Sequence, residues 1–198
     1  MSEMPMSGHT WLGAAASFLA MWVVMMVAMM LPSLVATLWR YRQAGLGWLT
    51  TLVGVAYFVV WTVFGMAVFP LGIALARAVP IALGVVVLMA GFFQVTAWKA
   101  HHLACCREAP APGRTLSADA GTAWRHGLRL GLHCSQCCVG LMAILLVIGI
   151  MDLRAMAVIA AAITVERLAP SGERVARATG AVALGAGSLL IARAAGLG

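Results

Sequence analysis

Charge is what this chain has least of. Only 10% of its 198 residues are Asp, Glu, Lys or Arg, where a soluble globular domain carries about 25%. Acidic residues number 6 against 13 basic ones, for a net charge of +7. No basic run with interleaved aromatic residues is present, so that excess does not point to nucleic acid. In so apolar a chain it reads as loop charge that sets membrane orientation. No basic segment precedes the first apolar run, and that run is too long for a signal-peptide core. The first hydrophobic segment is therefore expected to stay as a span. No internal repeat is strong enough to argue from.

What is there instead is apolar surface. Hydrophobic residues make up 63% of the chain, and the mean hydropathy is +0.99. This composition predicts an all-α polytopic transmembrane bundle forming a single integral membrane domain over residues 1–198. A span needs about 20 apolar residues. Six are expected, at about 11–38, 48–75, 80–98, 124–151, 153–168 and 176–194, with a polar connector rich in Pro, Gly and Ser at 99–123. The fifth is short. Short turns should make the last three antiparallel neighbours. Gly140, Gly149 and the series Gly180, Gly185 and Gly187 would let helices approach closely.

Basic residues divide unequally between the two sets of loops. One set holds Arg40, Arg42, Lys99, Arg107, Arg114, Arg125, Arg129, Arg167, Arg174 and Arg177, and the other only Arg77, Arg154 and Arg193. The richer side is expected to be cytoplasmic, which puts both termini outside the cytoplasm. All five cysteines then lie within the bilayer or at its cytoplasmic face. Structural disulfides are disfavoured there, which turns attention to metal or redox roles.

The sharpest feature is Cys134, Cys137 and Cys138 inside the fourth span. Positions i, i+3 and i+4 fall on one helical face, and Met142 lies one turn on. A lone buried cysteine is ordinarily a small apolar residue, but three on one face suit a soft metal, because thiolate and thioether ligands favour Cu(I) or Zn(II) over hard cations. Cys134 lies roughly 15 Å into the span from the cytoplasmic side. A second constellation is His101, His102, Cys105 and Cys106, in i, i+3 and i+4 relations if the third span continues as a helix. The bland reading is a polar helix end. The third is the methionine run of the first span: Met21, Met25 and Met29 in one row, Met26 and Met30 in another. Core packing explains such a run equally well, although thioethers are neutral ligands for Cu(I). Pro32 should kink the helix nearby. Gln94 and Glu166 are the other polar groups at membrane depth. Glu166 calls for a cation, and Lys99, Arg129 and Arg167 are candidates.

At these residues the chain resembles a family of bacterial polytopic proteins regarded as predicted metal-binding integral membrane proteins, along nearly its whole length. The resemblance runs through Trp22, Met25, Ala28, Met29, Met30 and Pro32, then Gln94, Thr96 and Lys99. It continues through His102, Leu103, Cys106 and Arg107, then Cys134, Cys137, Cys138, Leu141 and Met142, and ends with Met151 to Leu153 and Glu166 to Arg167. The family's first cysteine is His102 here, which keeps a metal-ligand type but would break a disulfide. The resemblance implies a bacterial inner-membrane location and a metal-binding role.

The expected function is soft-metal handling or delivery, most simply of Cu(I), with Zn as the other metal. The site is placed between spans one, three and four. Cys134, Cys137 and Cys138 are the core ligands, with Met25, Met29 and Met142 auxiliary. His102, Cys105 and Cys106 are expected to form a cytoplasmic uptake or release site. No catalytic residue is assigned. Expected partners are the lipid bilayer and a metallochaperone or membrane enzyme, and not nucleic acid. Two rivals remain: a membrane thiol oxidoreductase working with a quinone, and a non-catalytic subunit of a membrane complex.

Overall fold

The computed structural model describes residues 8–43, 47–75, 80–107, 119–149 and 152–196. Among the described residues the regular structure is entirely helical: α1 (Gly8–Gln43), α2 (Leu49–Leu75), α3 (Pro80–Gln94), α4 (Ala97–Arg107), α5 (Ala120–Ile148), α6 (Leu153–Leu168) and α7 (Gly172–Ala194). Arg77, Arg114 and Met151 lie outside the described residues.

Polar residues mark where these helices start. The Asp119 carboxylate accepts from the Thr122 amide at the head of α5, and Asp152 accepts from the Arg154 and Ala155 amides at the head of α6. Each carboxylate satisfies donors that a first helical turn leaves free. Gly149, with φ of 123°, lets the chain leave α5 in a conformation that side chains resist. Pro32 lies inside α1. One residue on, the Ser33 hydroxyl donates to the Met30 carbonyl at 3.0 Å.

The most consequential break falls between α3 and α4. The Thr96 hydroxyl donates to the Phe93 carbonyl at 2.7 Å and accepts from the Lys99 amide at 3.3 Å. One side chain thus caps both the helix that ends and the helix that begins, and the two axes differ by 64°. Residues 99–107, expected to belong to a polar connector, are therefore helical. Their buried positions, Lys99, His102, Leu103 and Cys106, follow the i, i+3, i+4, i+7 spacing of an amphipathic helix. The rest of that connector, 108–118, lies outside the described residues.

Among the described residues, four helical stretches are long and apolar enough to cross a membrane: Leu12–Gln43, Leu49–Leu71, Ala120–Ile148 and Gly172–Ala194. The bent pair α3–α4 makes a fifth if it counts as one span. The fifth expected span corresponds to α6, whose 16 residues extend only about 24 Å.

Glycines set the closest packing. An added Cβ at Gly91 would lie 2.7 Å from the Leu184 amide nitrogen, and at Gly187 2.6 Å from that of Leu88, so α3 and α7 touch backbone to backbone. Gly127 and Gly131 bring α5 equally close to α2, at Val53 and Tyr57. Gly140 faces Ala90 and Phe93 of α3, whereas Gly149 and Gly185 meet nothing within 4 Å. The main contact of α7 is thus α3, with α6 a lesser neighbour. The outer surface carries Val24, Met89, Phe92, Val158 and Val182, all strongly exposed, while Lys99, Glu166 and Arg167 are buried.

The glycine contacts predict opposite outcomes for one substitution. Gly91→Ala should destabilise by about 1–3 kcal/mol through overpacking. Gly185→Ala, in open space, should be neutral or stabilise by up to about 1 kcal/mol through helix propensity. Unfolding midpoints of the two purified variants check the contrast.

Candidate metal centre

The sulfur site starts from α5. The Sγ atoms of Cys134, Cys137 and Cys138 all lie within 4.8 Å of one another. Cys137 and Cys138 are 3.6 Å apart, and Cys134 and Cys138 4.0 Å. All three are almost wholly buried, as is Met142 one turn beyond.

A fourth sulfur comes from α4. Cys106 Sγ sits 3.8 Å from Cys137 Sγ. The 64° bend is what delivers it. Beyond the bend, α4 packs against α5 and brings Cys106 to the thiols. Cys105 faces the other way, 3.8 Å from His101 Nε2 at the surface. The expected grouping of His102, Cys105 and Cys106 is therefore divided: Cys106 is with the thiols, Cys105 is outside, and His102 faces His133 with Nδ1 atoms 3.1 Å apart.

α6 and α2 close the site. The Arg167 guanidinium donates to Cys134 Sγ at 3.3 Å and to the Ser33 hydroxyl of α1 at 2.9 Å. Its second terminal nitrogen, Nη2, is buried without a hydrogen-bond partner. The Tyr57 hydroxyl of α2 lies 3.0 Å from Cys134 Sγ. Of the cations considered for Glu166, the structure selects Lys99: Nζ to Oε2 is 2.8 Å, with both side chains buried. Lys99 also donates to the Cys137 carbonyl at 2.5 Å, and Gln94 donates to the other Glu166 oxygen at 2.6 Å.

Met25, Met26, Met29 and Met30 of α1 are all buried in the core that contains the thiols. α1 packs mainly on α2 and α6, however. Among the described residues, the hydrogen-bonded link from α1 to the thiols runs through Ser33 and Arg167. Tyr57 and Ser33 were not singled out from sequence. The signal available was a hydroxyl inside an otherwise apolar run, which has to find a partner when buried.

The buried ionisable side chains around the sulfurs do not balance. Lys99 and Glu166 cancel, and Arg167 remains, with only sulfur and hydroxyl partners. A buried guanidinium without an anion is costly. A monovalent cation held by two thiolates carries a charge of −1 and would offset it. A divalent ion would need a third thiolate to reach the same charge.

The comparison with known proteins bears on the same point. Residues 19–190 match the sequence model of one family, PpoB2, described as a copper chaperone. The chain belongs to this copper chaperone family. No curated protein and no solved structure matches it. The matched stretch takes in all five cysteines and both buried ion-pair residues. Membership of a copper chaperone family and a buried three-cysteine cluster together support copper handling.

The ion pair yields a stability test. Glu166→Ala, which leaves Lys99 buried and unpaired, should destabilise by about 3–5 kcal/mol. The double variant Lys99→Met/Glu166→Met should regain most of that loss. Glu173→Ala breaks the exposed pair with Arg177 and should cost no more than about 1 kcal/mol. Chemical unfolding of the three variants beside the wild type measures the differences. A Glu166→Ala effect no larger than that of Glu173→Ala would contradict the assignment.

Proposed function

We propose that this protein is a multi-pass protein of the bacterial inner membrane that binds Cu(I) between α4, α5 and α6 and passes it to another protein. The core ligands are Cys134, Cys137 and Cys138. Cys106, Met142, Met25 and Met29 belong to the same buried core as these cysteines. The recipient is a metallochaperone or a membrane enzyme. Binding and release require no chemistry on a substrate, so the reading is of a carrier and not an enzyme.

One observation carries this proposal: four thiol sulfurs from two helices meet beside a buried guanidinium that has no carboxylate partner. Soft ligands select a soft ion, and the residual positive charge favours a complex of net charge −1. That combination suits Cu(I) on two thiolates. Membrane insertion is supported by apolar side chains covering the outside while Lys99, Glu166 and Arg167 are inside. Six crossings with both termini outside the cytoplasm remain the proposed topology, based on the unequal division of basic residues. It requires the short α6 to cross where the bilayer thins.

A second reading is a thiol oxidoreductase acting with a quinone, and the 3.8 Å approach of Cys106 to Cys137 favours it. It predicts a pair of thiols that become resistant to alkylation on mild oxidation and recover on reduction. The carrier reading predicts protection from alkylation by Cu(I) without any oxidant.

Metal analysis of the purified protein after anaerobic Cu(I) loading tests the proposal. Cys134→Ser, Cys137→Ser and Cys138→Ser should each weaken retention by at least about tenfold against a competing chelator. Cys105→Ser should leave it unchanged. Equal retention by wild type and all three core variants would remove the proposed site.

A further inference from the structure

His102 and His133 occupy the layer directly above the thiols. On α4, His102 and Cys106 are one helical turn apart. On α5, His133 and Cys137 are likewise one turn apart, so each pair shares a helical face. The two helices thus present matched rungs. On one, two imidazole nitrogens face each other at 3.1 Å, and on the next, two sulfurs face each other at 3.8 Å.

The two rungs differ in access. Cys106 and Cys137 are sealed, whereas His133 is only half-buried. The Trp98 ring packs edge-on against His102 with ring centres 4.2 Å apart, which fixes the imidazole where it stands. On the outer side the His101 ring lies 5.3 Å from it.

The nitrogen separation suits a shared cation. Two imidazoles binding one metal at about 2.0–2.1 Å with a tetrahedral angle stand about 3.3 Å apart. A soft or borderline ion accepts imidazole as well as thiolate. The polar, half-open rung is within reach of water or an outside ligand, and the sealed sulfur rung is not.

We infer that His102 and His133 form a second metal site, a bis-imidazole position where Cu(I) first binds before it passes to the thiols one turn below. This inference rests on the copper-carrier reading of the sulfur cluster. The move is a ligand exchange: copper leaves two nitrogens for two sulfurs and stays Cu(I) throughout. The two thiol protons leave to water past the open side of His133, and no electron is transferred.

The test is the rate at which anaerobic Cu(I), supplied as its acetonitrile complex, reaches the thiols of the full chain, followed by the ultraviolet thiolate-to-copper absorption. His102→Ala and His133→Ala should each slow loading by about tenfold, the effect of roughly 1.4 kcal/mol on a barrier. The final sulfur-bound copper should equal that of wild type. His102→Cys, which restores a soft ligand, should recover the rate. Cys134→Ser/Cys137→Ser/Cys138→Ser should retain a nitrogen-bound copper that His133→Ala, added to it, removes. Final absorption equal to wild type in the histidine variants establishes that they are folded. Unchanged loading rates in both histidine variants would overturn this site alone. A wild-type protein that gains no thiolate absorption would overturn the carrier reading, and this inference with it.

Discussion

Lys99 has almost no access to water, and where its ammonium finds partners decides where α4 lies. It reaches Glu166 of α6 and the Cys137 carbonyl of α5 at once. Three helices are thereby tied at one nitrogen. The tie is directional, since an ammonium with three donors is costly to bury unless those donors are used. Thr96 supplies the matching geometry by capping both sides of the bend. With α4 held across α5, Cys106 has no place to go but against Cys137. The sulfur cluster follows from an ion pair as much as from the cysteines themselves.

The same region holds the groups on which the proposed preference for a soft monovalent ion rests. Buried thiols alone would be inert apolar filling. Arg167 changes that by placing an unbalanced positive charge against Cys134, while the Tyr57 hydroxyl lies against the same sulfur and the Ser33 hydroxyl accepts from the guanidinium. A carrier has to hold its ion and also let it go. A cluster in which sulfurs outnumber the two that Cu(I) needs gives alternative ligand pairs at similar distances. On the proposed carrier reading, copper would shift partner by small steps instead of dissociating into an apolar core.

Much of this was legible in the sequence, and the gaps have physical causes. The i, i+3, i+4 spacing of Cys134, Cys137 and Cys138 was enough to place them together, because helical periodicity fixes which residues share a face. Methionine burial in α1 was equally readable, but its partner helices were not: nothing in a run of apolar residues says which neighbour it meets. The bend at Thr96 was hidden by continuity of hydropathy. Lys99 looked like the end of a span because a charged residue in an apolar chain usually marks water, and here it marks a buried pair. Cys105 and Cys106, adjacent in sequence, were grouped, yet consecutive helical positions diverge by about 100°. The hydroxyl of Tyr57 in an apolar run signals that it needs a partner when buried, but nothing in the sequence says which one.

Copper K-edge X-ray absorption on the purified, Cu(I)-loaded protein tests most directly whether the buried sulfurs of the cluster share one ion. The first equivalent of copper should show a scattering shell made of sulfur alone, and that shell should change when Cys134, Cys137 and Cys138 are replaced. A first equivalent surrounded by nitrogen and oxygen, unaltered by those replacements, would contradict the account.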